Sequence, residues 1–119
     1  DMRVPIQYAL TYPDRCTSPC ERLSLTDAAE MTFCRPDTDT FKCLRVCIDA
    51  IKAGGLKPVA ANGANEQAVA LFLERKIGFN RIGDLVETAT AAQAVGEVTC
   101  IDDILAADAA AREAVLSRI

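Results

Sequence analysis

The chain has 119 residues, half of them hydrophobic and a quarter charged; that is the make-up of a globular chain able to bury a real core, and it excludes intrinsic disorder. A net charge of -4 leaves no basic stripe to meet phosphates, which weighs against a general nucleic-acid role. No apolar run approaches the ~20 residues of a membrane span, and the absence of histidine removes the usual general base and the commonest metal ligand.

A chain this long is one domain, or a small domain with a piece of another. Its opening, "DMRVPIQYAL", starts at Asp1 rather than Met. It has no basic region followed by an apolar one, so it is not a signal peptide and reads as a fragment of a longer chain.

Taken in order, "MRVPIQYALTYP" predicts a short helix with Pro5 in its first turn, where a missing N–H costs little. Ile6, Ala9 and Leu10 share a face, and Pro13 ends the run. "DRCTSPCER" is loop-like. "LSLTDAAEMTFC" is ambiguous, with Leu23 and Leu25 alternating and "MTF" open to a short strand. "RPDTDT" is a turn and helix-start signal, because Asp37, Thr38 and Asp39 can all cap.

Four helical patterns follow. In "FKCLRVCIDAIKAGG", Leu44, Cys47, Ile48 and Ile51 fall on one predicted apolar stripe. Gly54 and Gly55 end it, with Pro58 just beyond. In "ANGANEQAVALFLERKIGF", Asn62 or Asn65 is the expected N-cap, Glu66 suits the positive end of the dipole, and Ala68, Val69, Phe72, Leu73 and Ile77 repeat the spacing up to Gly78 as the stop. On that reading each asparagine replaced by alanine costs ~1 kcal/mol. "RIGDLVETATAAQA" puts Ile82, Leu85, Val86 and Ala89 on one face. "TCIDDILAADAAAREAVLSRI" offers Thr99 as N-cap, Asp102 and Asp103 in the first turn, and a stripe of Ile101, Ile104, Leu105, Ala111 and Val115. Four one-sided helices with short connections pack as a bundle over residues 37–119. Residues 1–36 do not share the pattern and read as the end of another domain.

Six cysteines are present, Cys16, Cys20, Cys34, Cys43, Cys47 and Cys100. A disulfide framework needs an oxidising compartment. The two C-x3-C pairs, Cys16/Cys20 and Cys43/Cys47, raise a metal site, but zinc knuckles use tighter spacing. Free and mostly buried thiols are the plain reading, with Cys47 on the apolar stripe. The "NGANE" cluster is weighed as a helix start against an anion site at a helix N-terminus, and one glycine without an adjacent cation favours the helix start. Asp108 and Arg112 stand at i, i+4 and pair on a helix surface for roughly 0.3 kcal/mol, or tie the last helix to a neighbour if half-buried. No dinucleotide-binding glycine pattern, phosphate loop or nucleophile elbow occurs.

In sequence order, "DMRVPIQYAL", "MTF", "PDTDTFKCLRV", "NGANEQAVALFLERKIGF" and "IDDILAADAAARE" together resemble the C-terminal part of 1-deoxy-D-xylulose 5-phosphate reductoisomerase. The resemblance covers nearly the whole chain. It departs at "RCTSPCERLSL" and at Gly63, where the family pattern has alanine. The fold it implies is mainly α: a C-terminal bundle of about four helices over residues 37–119, preceded by residues 1–36 as the tail of an α/β catalytic domain. That family converts deoxyxylulose phosphate to methylerythritol phosphate for isoprenoid synthesis, with NADPH and Mg or Mn, as a homodimer joined through catalytic domains. The expected partners are the remaining domains of the same chain, and the expected location is the bacterial cytoplasm, with a plastid left open. The resemblance places metal carboxylates, phosphate-binding residues and the catalytic histidine upstream of Asp1, so no catalytic, cofactor or metal residue is assigned here. Met2 alone is expected near substrate, through the "DMR" segment. The competing reading is a free-standing helical interaction module without enzymatic activity.

Overall fold

The computed structural model describes residues 1–27 and 30–119. They form two units, Asp1–Arg35 and Pro36–Ile119.

In the first unit, α1 runs Arg3–Thr11 and buries none of its residues. Its start is tied by Asp1, whose carboxylate accepts the Arg3 backbone N–H at 3.0 Å and its guanidinium at 2.6 Å. The Gln7 amide reaches the Thr17 carbonyl at 2.8 Å, and the Arg15 guanidinium lies 3.9 Å from the centre of the Tyr8 ring, a cation–π contact. The expected helix is therefore present, with Pro5 in its first turn. The "MTF" strand is not: Met31 to Phe33 carry no regular structure, and the described residues contain no strand at all. These side chains have no sheet to join, and Phe33 stands exposed. The part of the "LSLTDAAEMTFC" reading that falls on Ala28 and Ala29 lies outside the described residues.

The second unit holds α2 (Lys42–Ala53), α3 (Lys57–Leu73), α4 (Phe79–Ala92) and α5 (Ile101–Leu116). This is the expected bundle. α3 packs against all three others, and α2 and α5 each touch the α3–α4 pair but not one another. A helix enclosed on so many sides must be apolar around most of its girth and small enough to be approached. α3 meets this with Ala60, Ala61, Gly63, Ala64 and Ala68 buried along its middle. Apart from Leu71 near its end, the larger core side chains come from its neighbours: Leu85, Val86 and Val115 are the largest that are fully enclosed, each contributing roughly 1.5–3 kcal/mol by burial.

Asp37 makes a turn rather than a helix cap, its carboxylate accepting the N–H of Asp39 and of Thr40. α2 then starts at Lys42. Its core face is not the predicted stripe. Val46 and Ala50 are buried and Cys43 packs beside them, whereas Cys47, Leu44, Ile48 and Ile51 face outward, Ile51 with 74% of its surface exposed. Close contact with the α3–α4 pair selects the face with the smaller residues. Gly54 ends α2, as expected, in a left-handed φ of 73°.

Pro58 does not follow a long break. It sits in the first turn of α3, where a proline is pre-shaped for the helix. "NGANE" is consequently mid-helix, five residues past the start, and neither Asn62 nor Asn65 is a cap. Asn62 instead donates to the Glu66 side chain at 3.3 Å, and Asn65 is exposed. The ~1 kcal/mol cost per asparagine is withdrawn with the caps. Alanine is the better helix former at an exposed interior site, by roughly 0.6 kcal/mol per residue. The double replacement Asn62→Ala/Asn65→Ala is expected to leave the melting temperature unchanged or raise it slightly. A clear fall in a thermal melt followed by circular dichroism would restore the cap reading.

Gly78 is not the stop of α3 either. The helix closes after Leu73 with Arg75 in the left-handed region at φ 60°, the Arg75 N–H bonding the Phe72 carbonyl and the Lys76 N–H that of Leu71, both at 2.9 Å. This is the two-bond closure that satisfies the last carbonyls of a helix. Gly78 is instead the extended residue preceding α4. In α4 the predicted face is the observed one: Ile82, Leu85, Val86 and Ala89 are all buried.

α5 begins one residue later than predicted, with Cys100 rather than Thr99 before its first turn. Asp103 reaches back to both, its carboxylate accepting the Thr99 hydroxyl at 2.6 Å, the Thr99 N–H at 2.9 Å and the Cys100 N–H at 3.1 Å. Those bonds, led by the Thr99 hydroxyl, lower the Asp103 pKa to about 2. A carboxyl whose folded pKa is depressed adds stability above its unfolded value of ~3.9 and loses it as pH falls through the folded value. The melting-temperature gap between the natural chain and Asp103→Asn is therefore expected to be full near neutral pH and to close between about pH 4 and pH 2. A gap unchanged at pH 2 would show that the carboxylate is not the stabilising form. Inward, α5 presents Ala107, Ala111 and Val115. Ile101, Ile104 and Leu105, three members of its predicted stripe, point outward.

Candidate functional site

The polar side chains that sequence reading singled out do meet, on the seam between α3 and α5. Asp108 and Arg112, one turn apart on α5, form a forked pair with Nε to Oδ2 at 2.7 Å and Nη2 to Oδ1 at 3.1 Å. The same Nη2 also donates to the Glu66 carboxylate of α3, and Glu66 accepts from Asn62 behind it. Gly63 lets the helices come this close, because a Cβ there would lie 2.5 Å from Asp108 Oδ1 and 3.1 Å from the Asp108 carbonyl. Asp108 first, then Glu66, raises the Arg112 pKa above its ordinary value, and Arg112 lowers that of Glu66. The pair named from its i, i+4 spacing is thus the interhelix tie that half-burial was expected to make it. The contribution of Glu66 had no sequence signal beyond its charge.

One cation faces two carboxylates in this cluster, so it carries net negative charge. It lies in mid-helix rather than at a helix start. Both facts argue against the anion site weighed for "NGANE". None of its groups is a free base or nucleophile, and its chemistry is that of a clamp.

Two further ties went unread because they join helices far apart in sequence. The Lys42 ammonium meets Asp84 at 2.6 Å and the Arg45 guanidinium meets Glu87 at 2.7 Å, both between α2 and α4. The Lys57 ammonium donates to the Thr90 and Ala91 carbonyls at 2.8 and 3.1 Å, placing a cation on the negative end of α4. Beside the Lys42–Asp84 pair, a cleft of about 700 Å³ opens between the starts of α2 and α4. Phe41, Leu44, Phe79 and Ile82 give it apolar walls, and Cys43 lines it.

The cysteines are free thiols, but they are not mostly buried. Cys16, Cys34, Cys47 and Cys100 are exposed, and Cys20 and Cys43 are half-buried. Cys47 in particular lies outside the core, for the same reason that α2 turns its small-residue face inward. Met2 directly precedes α1 and leaves 71% of its surface exposed. Among the described residues no group of three or more Cys, Asp or Glu is placed to hold a metal, and no helix is long and apolar enough to cross a membrane.

Residues 1–114 match the DXP reductoisomerase C-terminal domain. The chain belongs to the DXP reductoisomerase family. It is 46% identical over 112 residues to the 1-deoxy-D-xylulose 5-phosphate reductoisomerase of Ruminiclostridium cellulolyticum, covering 94% of this chain and 29% of that protein. Against the enzyme of the same name from Aromatoleum aromaticum it is 44% identical over 119 residues, covering 100% of this chain and 30% of that one. Among solved structures, the Zymomonas mobilis reductoisomerase in complex with NADPH superposes with a TM-score of 0.87 at 38% identity, over 98% of this chain and 31% of that chain. A DOX-P reductoisomerase in complex with NADPH, fosmidomycin and magnesium does so with a TM-score of 0.81 at 32% identity, again over 98% of this chain and 31% of the other. The chain thus spans about three tenths of the length of these reductoisomerases. The helical bundle is the fold of that part of the family.

Proposed function

We propose that this chain is the C-terminal part of an enzyme that converts 1-deoxy-D-xylulose 5-phosphate to 2-C-methyl-D-erythritol 4-phosphate in isoprenoid synthesis. The observation that carries this is the family match over residues 1–114. NADPH would supply the hydride and a divalent metal, Mg or Mn, would hold the oxygens of the substrate. The reading assigns the ligands of that metal, and those of NADPH, to the other seven tenths of the family chain.

Within this reading, residues 1–36 are the end of the catalytic domain and residues 37–119 are its structural support. The Lys42–Asp84, Arg45–Glu87 and Arg112–Glu66 pairs support a bracing role, since each joins one helix to another. Met2 borders the substrate in this assignment, and its exposure supports a contact there. The complete enzyme would pair as a homodimer through its catalytic domains, with the bundle outside that interface.

A chimera tests the proposal. Residues 1–119 replace the corresponding C-terminal part of the Zymomonas mobilis enzyme, and NADPH oxidation is followed with deoxyxylulose phosphate. Substrate-dependent turnover is expected, and Met2→Ala is expected to raise KM without moving the melting temperature. A folded chimera without turnover would overturn the assignment. Residues 1–119 alone are expected not to quench or shift NADPH fluorescence, and tight binding by them would overturn the supporting role.

A further inference from the structure

We propose that Cys43 and Cys47 form a two-thiol site for a trivalent aryl arsenical, with the aryl group seated in the cleft beside Cys43. The two cysteines are four residues apart on α2, Cys43 at the edge of the core and Cys47 one turn on toward solvent, and residues so spaced have Cβ atoms about 5–6 Å apart. A continuous helix holds that spacing fixed. Neither sulfur is engaged elsewhere, since both are free thiols, Cys47 exposed and Cys43 half-buried.

Two observations select the ligand. The first is the donor set. No third Cys, Asp or Glu joins these thiols to make a metal-holding group among the described residues, so tetrahedral zinc, which takes four ligands, is poorly served. A thiophilic centre satisfied by two sulfurs fits the pair. The second is the cleft. Cys43 lines it together with Phe41, Leu44, Phe79 and Ile82, which gives a ring carried on the arsenic an apolar bed next to one of its two sulfurs.

The titration of Cys43 suits this chemistry. Burial first, and the neighbouring Cys47 second, raise the Cys43 pKa. Cys43 therefore resists standing as a free thiolate, which suits a reagent that takes its proton away covalently. A hydrated aryl arsenoxide does so. Each thiol proton joins one arsenic-bound hydroxide, two waters leave, and two As–S bonds replace two As–O bonds. Arsenic stays trivalent throughout, and no oxidant or reductant is needed.

The other C-x3-C pair provides the internal control. Cys16 and Cys20 lie outside any helix, so nothing regular fixes their spacing. The experiment adds one equivalent of phenylarsine oxide to the reduced 119-residue chain, then counts thiols and measures the intact mass. One phenylarsenic group is expected per chain, with two thiols lost, mapped to the peptide holding Cys43 and Cys47. The group should survive excess monothiol and leave with a small dithiol. Cys47→Ser changes an exposed side chain, its helicity checked by circular dichroism, and is expected to weaken binding by about 100-fold as the second bond is lost. Phe79→Ala is expected to reduce the preference for phenyl over methyl arsenical. Undiminished binding in Cys47→Ser, or label concentrated on Cys16 and Cys20, would overturn the site. An unchanged phenyl preference in Phe79→Ala would overturn the role of the cleft.

Discussion

Gly55→Ala is expected to destabilise the bundle by about 3 kcal/mol. The residue turns the chain from α2 into α3 at φ 55°, and a Cβ there would fall on the Val95 and Gly96 carbonyl oxygens. The left-handed backbone costs an L residue roughly 1–2 kcal/mol. The overlap is with backbone, which has no rotamer to move, so the connection between α4 and α5 must shift. That shift breaks the Leu56 N–H bond to the Val95 carbonyl, now 2.7 Å, worth about 1 kcal/mol. For a domain of this size the loss corresponds to a fall in Tm of roughly 12–20 °C. Gly55→Asn separates the two causes, because asparagine tolerates the left-handed region but still carries a Cβ. If overlap dominates, asparagine is nearly as harmful as alanine. A variant melting within a few degrees of the natural chain would show that the two connections do not depend on each other.

Leu85→Ala is the second large effect, at about 3–4 kcal/mol. Leu85 keeps 1% of its surface exposed and belongs to the core cluster of the bundle. Truncation loses its transfer energy and leaves a cavity that alanine-lined neighbours cannot fill by rotating. The matching change at Leu105, 60% exposed on α5, is expected to stay within roughly 0.5 kcal/mol. Denaturant unfolding of both variants gives the comparison. Equal losses would mean that α5 buries the face that the structure turns outward.

The contrast between these leucines also explains what was legible in the sequence. In α4, past the exposed Phe79 at its first position, the bulky aliphatic side chains are the buried ones, so periodicity alone found Ile82, Leu85, Val86 and Ala89. In α2 and α5 the ranking inverts. Leu44, Ile48 and Ile51, and Ile101, Ile104 and Leu105, are more hydrophobic than Val46, Ala50, Ala107 and Ala111, yet the smaller set is inside. Apolar periodicity weighs size, whereas helices packed against an enclosed neighbour select smallness. The start of α3 was missed for a related reason. Asn62 and Asn65 look like caps, but Lys57 and Pro58 already form the first turn, and the alanines between them continue a helix silently. Only one part of the polar cluster was readable. Asp108 and Arg112 announce themselves by spacing, while Glu66, Lys42–Asp84 and Arg45–Glu87 depend on the packing of helices, which no local pattern encodes.

The alanine-lined middle of α3 has a consequence for how such a chain can change over generations. A single base change in an alanine codon yields glycine, valine, serine, threonine, proline, aspartate or glutamate. At Ala60, Ala61, Ala64 and Ala68, which are almost fully enclosed, all but glycine add bulk, charge or an unpartnered polar group, or break the helix. Glycine itself loosens the helix by about 1 kcal/mol. Every mutational neighbour of these positions is therefore worse than the residue it replaces. Change at these four positions is thus restricted by the scarcity of acceptable next steps, whereas Gly63 beside them shows the one small-residue exchange, alanine to glycine, that the centre can take.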